Sequence, residues 1–302
     1  MSAIIERMSD SNWLDVIKSR VLVCDGAMGT QLMLAGMPPG DCGALWNVNE
    51  PAKVESIHAR YKDAGCDFAT SNTFGGCKHV LAQHGAEASL VDLNKAGVQR
   101  ARNGAPGCWV LADIGPFGDF LEPLGLTAKD EALAMFRDQA QALKEAGPDG
   151  VIIETMTDLE EMRLAIRAAK ETGLPVIATY AFDRADGVTH RTMMGQDVPT
   201  CIAAALDEGA DVVGANCGKD MDLDDYVKLA EALLRAAGGK PVAVQPNAGA
   251  PQMVDGRLTY LATSEQMAQL ARQLAALGVR IVGGCCGTTP AHLKAIADAV
   301  KA

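Results

Sequence analysis

Val279-Arg280-Ile281-Val282-Gly283-Gly284-Cys285-Cys286-Gly287-Thr288 decides how the chain folds. An apolar run (Val279, Ile281, Val282) ends in two glycines and two adjacent cysteines. Vicinal cysteines are a poor choice for a plain core and an awkward one for a disulfide. At a strand tip they present a pair of thiolates. Cys217 has an equivalent setting: Gly214-Ala215-Asn216-Cys217-Gly218 follows the run Asp211-Val212-Val213. Three thiolates converging from two strand ends read as a zinc site with room for a fourth ligand.

Outward from these two runs the same plan repeats. A short apolar run ends in a polar residue, glycine or turn, and a helical stretch follows. The other runs are Val21-Leu22-Val23, Asp67-Phe68-Ala69, Trp109-Val110-Leu111-Ala112, Val151-Ile152-Ile153, Pro175-Val176-Ile177-Ala178 and Pro241-Val242-Ala243-Val244. Helical spacing marks 53–64, 131–146, 158–172 and 264–277. Runs without polar alternation suit parallel strands covered on both faces. Eight such units predict a single α/β domain, a (β/α)8 TIM barrel with the zinc site at the C-terminal ends of its strands. A doubly wound sheet ranks second, because Asp25-Gly26-Ala27-Met28-Gly29 lacks the G-x-G-x-x-G phosphate turn. The expected division is an N-terminal arm and short helix over 1–20, then the barrel over 21–302. Residues 1–11 read as a frayed arm, with Ser11 capping a helix through Trp13, Leu14 and Ile17.

Barrel active sites gather at the carboxyl ends of the strands. The polar residues expected there are Asp25, Asn72, Asp113, Glu154, Tyr180, Asn216, Cys217, Asn247, Cys285 and Cys286.

Composition narrows the function. A formal charge of -11 leaves no basic stripe for nucleic acid or an anionic membrane surface. No run reaches transmembrane length. The first residues, with Glu6 and Asp10, lack the plan of a signal peptide. Nine cysteines then read as reduced thiols in a cytoplasmic protein. The chain is long enough to bury a core without structural metal, so metal here would serve chemistry.

The ligand type carries that chemistry. Three thiolates leave zinc a mild Lewis acid, suited to lowering a substrate thiol's pKa while its sulfur stays electron-rich. Three histidines would instead favour a metal-bound hydroxide. Cys24, Cys42, Cys66, Cys77, Cys108 and Cys201 lack the glycine framing and read as packing residues. His58, His79, His84, His190 and His292 read as surface or cap residues.

The three cysteines with their glycines, Asp25-Gly26-Ala27-Met28-Gly29-Thr30-Gln31-Leu32 and Pro246-Asn247-Ala248-Gly249 together resemble the homocysteine S-methyltransferase family. That family includes betaine–homocysteine methyltransferase, S-methylmethionine-dependent enzymes and the homocysteine-binding barrel of cobalamin-dependent methionine synthase. The likeness runs from about Val21 to the end. It implies a zinc barrel that methylates homocysteine to methionine, with Cys217, Cys285 and Cys286 as zinc ligands. Asp25 and Glu154 match the residues receiving the substrate ammonium. The Gly26-Ala27 backbone matches the donors to its carboxylate. Asn72 and Asn247 join the expected substrate-binding set.

The donor has two readings. Trp46 stands where betaine- and S-methylmethionine-using members carry a tryptophan, and an aromatic face receives such cations well. Betaine enzymes also carry tyrosines directly after the equivalents of Phe74 and Glu154, where this chain has Gly75 and Thr155. Those two stretches are more similar to the methionine synthase barrel, yet the chain carries no cobalamin or folate module. A methylated corrinoid protein on a separate chain reconciles these features, with betaine or S-methylmethionine as the alternative. A non-catalytic zinc or redox sensor is the rival of another class. Reading Asp25 and Glu154 as a glycosidase pair leaves the thiols without purpose. The charged segment 183–197, with Met193-Met194-Gly195, reads as a candidate lid.

Overall fold

The computed structural model describes residues 12–185, 189–254 and 257–301. The expected arm at 1–11 and the Ser11 cap lie outside them; the residue capping the first helix is Asn12, whose side chain accepts the Leu14 N–H. Twelve strands follow in chain order: β1 (Leu22–Val23), β2 (Phe68–Thr70), β3 (Trp109–Ile114), β4 (Gly150–Met156), β5 (Val176–Tyr180), β6 (Asp183–Ala185), β7 (Thr189–Arg191), β8 (Val212–Asn216), β9 (Val242–Gln245), β10 (Pro251–Val254), β11 (Arg257–Tyr260) and β12 (Ile281–Val282). Among them run α1 (Trp13–Val16), α2 (Met28–Leu34), α3 (Trp46–Asn49), α4 (Pro51–Asp63), α5 (Lys78–Ala82), α6 (Leu90–Gly104), α7 (Lys129–Glu145), α8 (Leu159–Lys170), α9 (Val198–Asp207), α10 (Leu223–Ala237), α11 (Ser264–Leu277) and α12 (Pro290–Lys301).

Eight parallel strands pair in the order β1-β12-β9-β8-β5-β4-β3-β2, with helices between them, as a (β/α)8 barrel requires. All eight apolar runs of the sequence are these strands. The β1–β2 seam is closed differently. Asp67 donates its N–H to Val23 O at 2.7 Å and accepts the Val23 N–H on Oδ2 at 2.7 Å. Farther along, Asp25 Oδ2 accepts the Thr70 N–H at 2.8 Å. Two carboxylates thus supply acceptors that strand carbonyls supply elsewhere. Arg20 (3.2 Å) and Lys301 (2.8 Å) hold the buried Asp67 charge.

Strand alternation sorts the core into two layers. Leu22, Cys24, Phe68, Trp109, Leu111, Ile152, Ile177, Val212, Ala243 and Ile281 fill the barrel, while Val23, Val110, Val151, Val213 and Val244 face the helices. α1 belongs to the inner layer. Trp13 stacks edge-on against Phe68 with centroids 5.4 Å apart and donates Nε1–H to Asp149 O at 3.0 Å.

Helix ends follow local rules. Asp158 caps α8 by accepting the Glu160 and Glu161 N–H groups. Asp222 with Asp225, and Thr263 with Gln266, form capping boxes on α10 and α11. Two antiparallel hairpins, β6–β7 and β10–β11, were not expected. Segment 183–197 is the first hairpin and its exit, held to α10 by Arg184 on Asp225 at 3.1 Å. His58 is fully buried and His190 nearly so, not surface or cap residues. His292 does cap, accepting the Thr289 N–H at 3.1 Å. Among the described residues, no helix is long and apolar enough to cross a membrane.

Candidate metal centre and substrate cavity

The Cys217, Cys285 and Cys286 sulfurs all lie within 4.8 Å of one another, with Cys217 and Cys286 at 3.9 Å. Cys217, just past β8, has a φ of 55°. That left-handed turn is costly outside glycine and typical of functional sites. Its backbone is fixed by Tyr226, which donates to Cys217 O at 2.5 Å and accepts the Asn247 N–H at 3.1 Å. The cysteine pair leaves β12 and is tied to the neighbouring loop. Cys285 donates its N–H to Pro246 O at 2.8 Å, and Ala248 donates to Cys286 O at 3.0 Å. The thiols share protons unequally: hydrogen bonds from Cys217 and Cys285 pull Cys286 down, while the same network and burial push Cys285 up.

The Glu154 and Asp113 carboxyls open with the thiols onto a cavity of about 450 Å³, also walled by Ala27, Asn72, Phe74 and Thr155. A register shift between Ile153 and Met156 turns Glu154 toward it, and Thr155 takes a φ of 63°. Burial first, then Asp25 and the Cys286 sulfur, push Glu154 up to about 8. Burial, then Glu154 and Asp25, push Asp113 well above the carboxylate range. Asp25 rises to about 6, also through burial, against hydrogen bonds from Thr70. A mouth that raises three carboxyls together favours a cationic ligand.

The other expected residues separate. Asn72 lines the cavity but spends its amide on Gly43 O (2.7 Å) and Asn47 Oδ1 (3.0 Å). Asp25 lies outside the wall, bound into the β1–β2 seam. Gly26 admits no side chain, since a Cβ would lie 2.7 Å from Thr288 Oγ1. The Ala27 N–H already donates to that hydroxyl at 3.1 Å. Asn247 donates Nδ2 to Gly218 O at 2.8 Å, and its buried Oδ1 has no partner. Trp46 is not in the cavity wall. It is buried in the outer core, with Lys53 Nζ 4.7 Å from its ring centroid.

Three residues gain weight that the sequence did not give them. Asp113 and Asn216 were visible as strand-end polar residues, without a role. Tyr260 hydrogen-bonds the Cys286 sulfur from the β10–β11 hairpin, where no apolar run announced a strand.

The three sulfurs suit a soft or borderline divalent ion by number, spacing and donor type. The backbone of the neighbouring loop, through Pro246 O and the Ala248 N–H, fixes both cysteines of the pair. The residues therefore fit a metal.

A model of the homocysteine S-methyltransferase family matches residues 22–300. The chain belongs to that family. It is 32% identical to a methionine synthase of Mycobacterium tuberculosis (strain ATCC 25618 / H37Rv) and 30% identical to that of Mycobacterium leprae (strain TN), each over 321 aligned residues. Both alignments cover 99% of this chain and 26% of the relative, so it spans about a quarter of their length. Among solved structures, the metallated form of the homocysteine methyltransferase MmuM from Escherichia coli superposes with a TM-score of 0.76 at 23% identity, covering 94% of this chain and 97% of that one. That likeness concerns the fold of this family member.

Proposed function

We propose that this family member moves a methyl group to the thiol of homocysteine, giving methionine, with zinc held by Cys217, Cys285 and Cys286. The observation that carries the reading is three clustered thiols opening onto the same cavity as two raised carboxyls. One group of residues suits a sulfur nucleophile and the other an amino acid's ammonium. The names of the relatives, methionine synthase and homocysteine methyltransferase, support it.

Zinc bound by three thiolates would hold a substrate thiol deprotonated near neutral pH while leaving its sulfur nucleophilic. The chain's own residues do the rest. Glu154 anchors the ammonium end. The Gly26–Ala27 backbone faces the carboxylate, which would replace the Thr288 hydroxyl on the Ala27 N–H. Sulfur then forms its bond to the methyl carbon as the donor's bond to that carbon breaks, and the donor keeps the electron pair. Holding both partners in line accounts for much of the acceleration.

The donor we assign is a methylated corrinoid carried by a separate protein. Phe74 is the one Phe, Tyr or Trp ring among the described residues of the wall, which is too little for an aromatic cage around a small cation. Met33 and Leu34 at the end of α2, with Phe120, Leu124 and Met193 on loops, are exposed apolar side chains on the cavity side, a rim suited to a macromolecular donor. Methionine formation by reduced, zinc-loaded protein tests this with methylcobalamin, betaine and S-methylmethionine as donors. Turnover with methylcobalamin alone is expected. Turnover with betaine or S-methylmethionine would overturn the donor assignment, and a wild-type protein that binds no homocysteine would overturn the reaction.

A further inference from the structure

With zinc and a substrate thiolate in place beside the three cysteines, an electrophilic methyl group meets four sulfurs of one type. Only the substrate's can be methylated if the protein is to turn over again. A thiolate that accepts a hydrogen bond is the poorer nucleophile. The bond is strongest to its full charge and weakens as that charge moves onto carbon.

The chain places such donors on its own sulfurs. The Asn216 amide lies 3.7 Å from the Cys285 sulfur, the Gly218 N–H bonds the Cys217 sulfur, and the Tyr260 hydroxyl donates to the Cys286 sulfur. Cys217, Cys285 and Cys286 line the cavity, whereas Asn216, Gly218 and Tyr260 stand outside its wall. The donors therefore approach from behind the wall, on the side a substrate sulfur does not enter.

Tyr260 is the donor whose placement serves nothing else, since Asn216 also holds Thr155 and Gly218 belongs to the Cys217 turn. It ends the β10–β11 hairpin, paired with Pro251. Its ring packs on Gly287, where a Cβ would collide with it. Two residues on, Ala262 donates its N–H to Ala248 O at 3.0 Å, and its carbonyl accepts from His292 Nε2 at 2.9 Å. The metal-centre loops and α12 thus hold the end of the hairpin against the cysteine pair.

We propose that Tyr260 masks the Cys286 sulfur, so that the methyl group goes to the incoming thiolate and not to the protein. This rests on the zinc and homocysteine reading and adds a residue that selects among the sulfurs of that site. Tyr260 acts through Cys286 and is a positioning residue.

The test is methyl iodide treatment of zinc-loaded wild-type and Tyr260→Phe proteins without homocysteine, read by tandem mass spectrometry of their peptides. A cysteine sulfur forms its bond to the methyl carbon as the carbon–iodine bond breaks, and iodide leaves with the electron pair. Phenylalanine keeps the ring on Gly287 and removes only the donor, which separates masking from steric shielding. Cys286 should be methylated roughly tenfold faster in Tyr260→Phe, the scale of a hydrogen bond to a charged group, with Cys217 and Cys285 unchanged. Equal zinc content in the two proteins before treatment reports that the fold and the metal centre persist. Equal Cys286 rates, the same acceleration at all three cysteines, or loss of zinc by the variant overturns the masking role and leaves the zinc reading standing. A wild type that binds no zinc overturns both.

Discussion

Asn216 grips Thr155 twice: its Oδ1 accepts the Thr155 N–H at 2.7 Å, and its Nδ2 donates to the Thr155 hydroxyl at 2.7 Å. Thr179 adds a hydroxyl to the same Oδ1 at 2.9 Å, and the Asn216 amide lies 3.7 Å from the Cys285 sulfur. One buried side chain therefore connects the strained residue after Glu154 with a thiol of the candidate metal centre. Asn216→Ala should leave the Thr155 turn without support and cost about 2–3 kcal/mol of stability, read by urea unfolding. Zinc affinity, read by chelator competition, should fall roughly ten- to a hundredfold.

Asp25 and Asp113 should respond unequally to removal. Asp25→Ala deletes an acceptor on which a buried N–H depends, so a loss of about 2–3 kcal/mol is expected. Asp113→Asn removes a group whose ionisation burial already opposes, and should change stability by less than about 1 kcal/mol. Parallel denaturant curves of the metal-free proteins at pH 7 compare them.

His58 is fully buried with neither ring nitrogen partnered, and burial lowers it to about 4. Below its ordinary value of 6.5 the unfolded chain takes up a proton that the folded chain refuses. Stability should therefore fall as pH drops from about 6.5 toward 4, by about 2 kcal/mol at pH 5 from this residue alone. His58→Leu should flatten that part of the curve between pH 7 and 5. An unchanged slope would show that His58 takes up its proton equally in the folded and unfolded chains.

Trp13 is an anchor. Trp13→Ala opens a void between α1 and the strand bottoms and should cost about 3–5 kcal/mol, lowering Tm by several degrees. A loss below about 1 kcal/mol would mean that α1 is dispensable.

The barrel was legible because buried parallel strands are written as uninterrupted apolar runs, and all eight of them stood out. The β4 end shows the limit. Glu154 was visible, but the register shift that turns it into the cavity depends on β5 alongside, and no local pattern encodes it. Asp25 and Asp113 read alike as acids closing a strand. Only the seam, a contact between the first strand and the second, separates their roles. Trp46 resembled a ligand-facing aromatic by position, and its burial beneath Lys53 depends on how α3 and α4 meet. The β10–β11 hairpin carries Tyr260 on a four-residue strand that lacks the apolar signature of the barrel strands.

Trp13 and the layered side chains above it fill the barrel below the carboxyls, so thiol and donor both reach the cavity from the C-terminal ends of the strands, a shared doorway. Two reactants that share one doorway cannot arrive in either order. Under the proposed reaction with a protein-borne donor, the small thiol would be seated before that donor covers the opening, and the methylated product would leave only after it withdraws. Steady-state kinetics should then show compulsory ordering, with the product amino acid competing against the thiol and not against the donor.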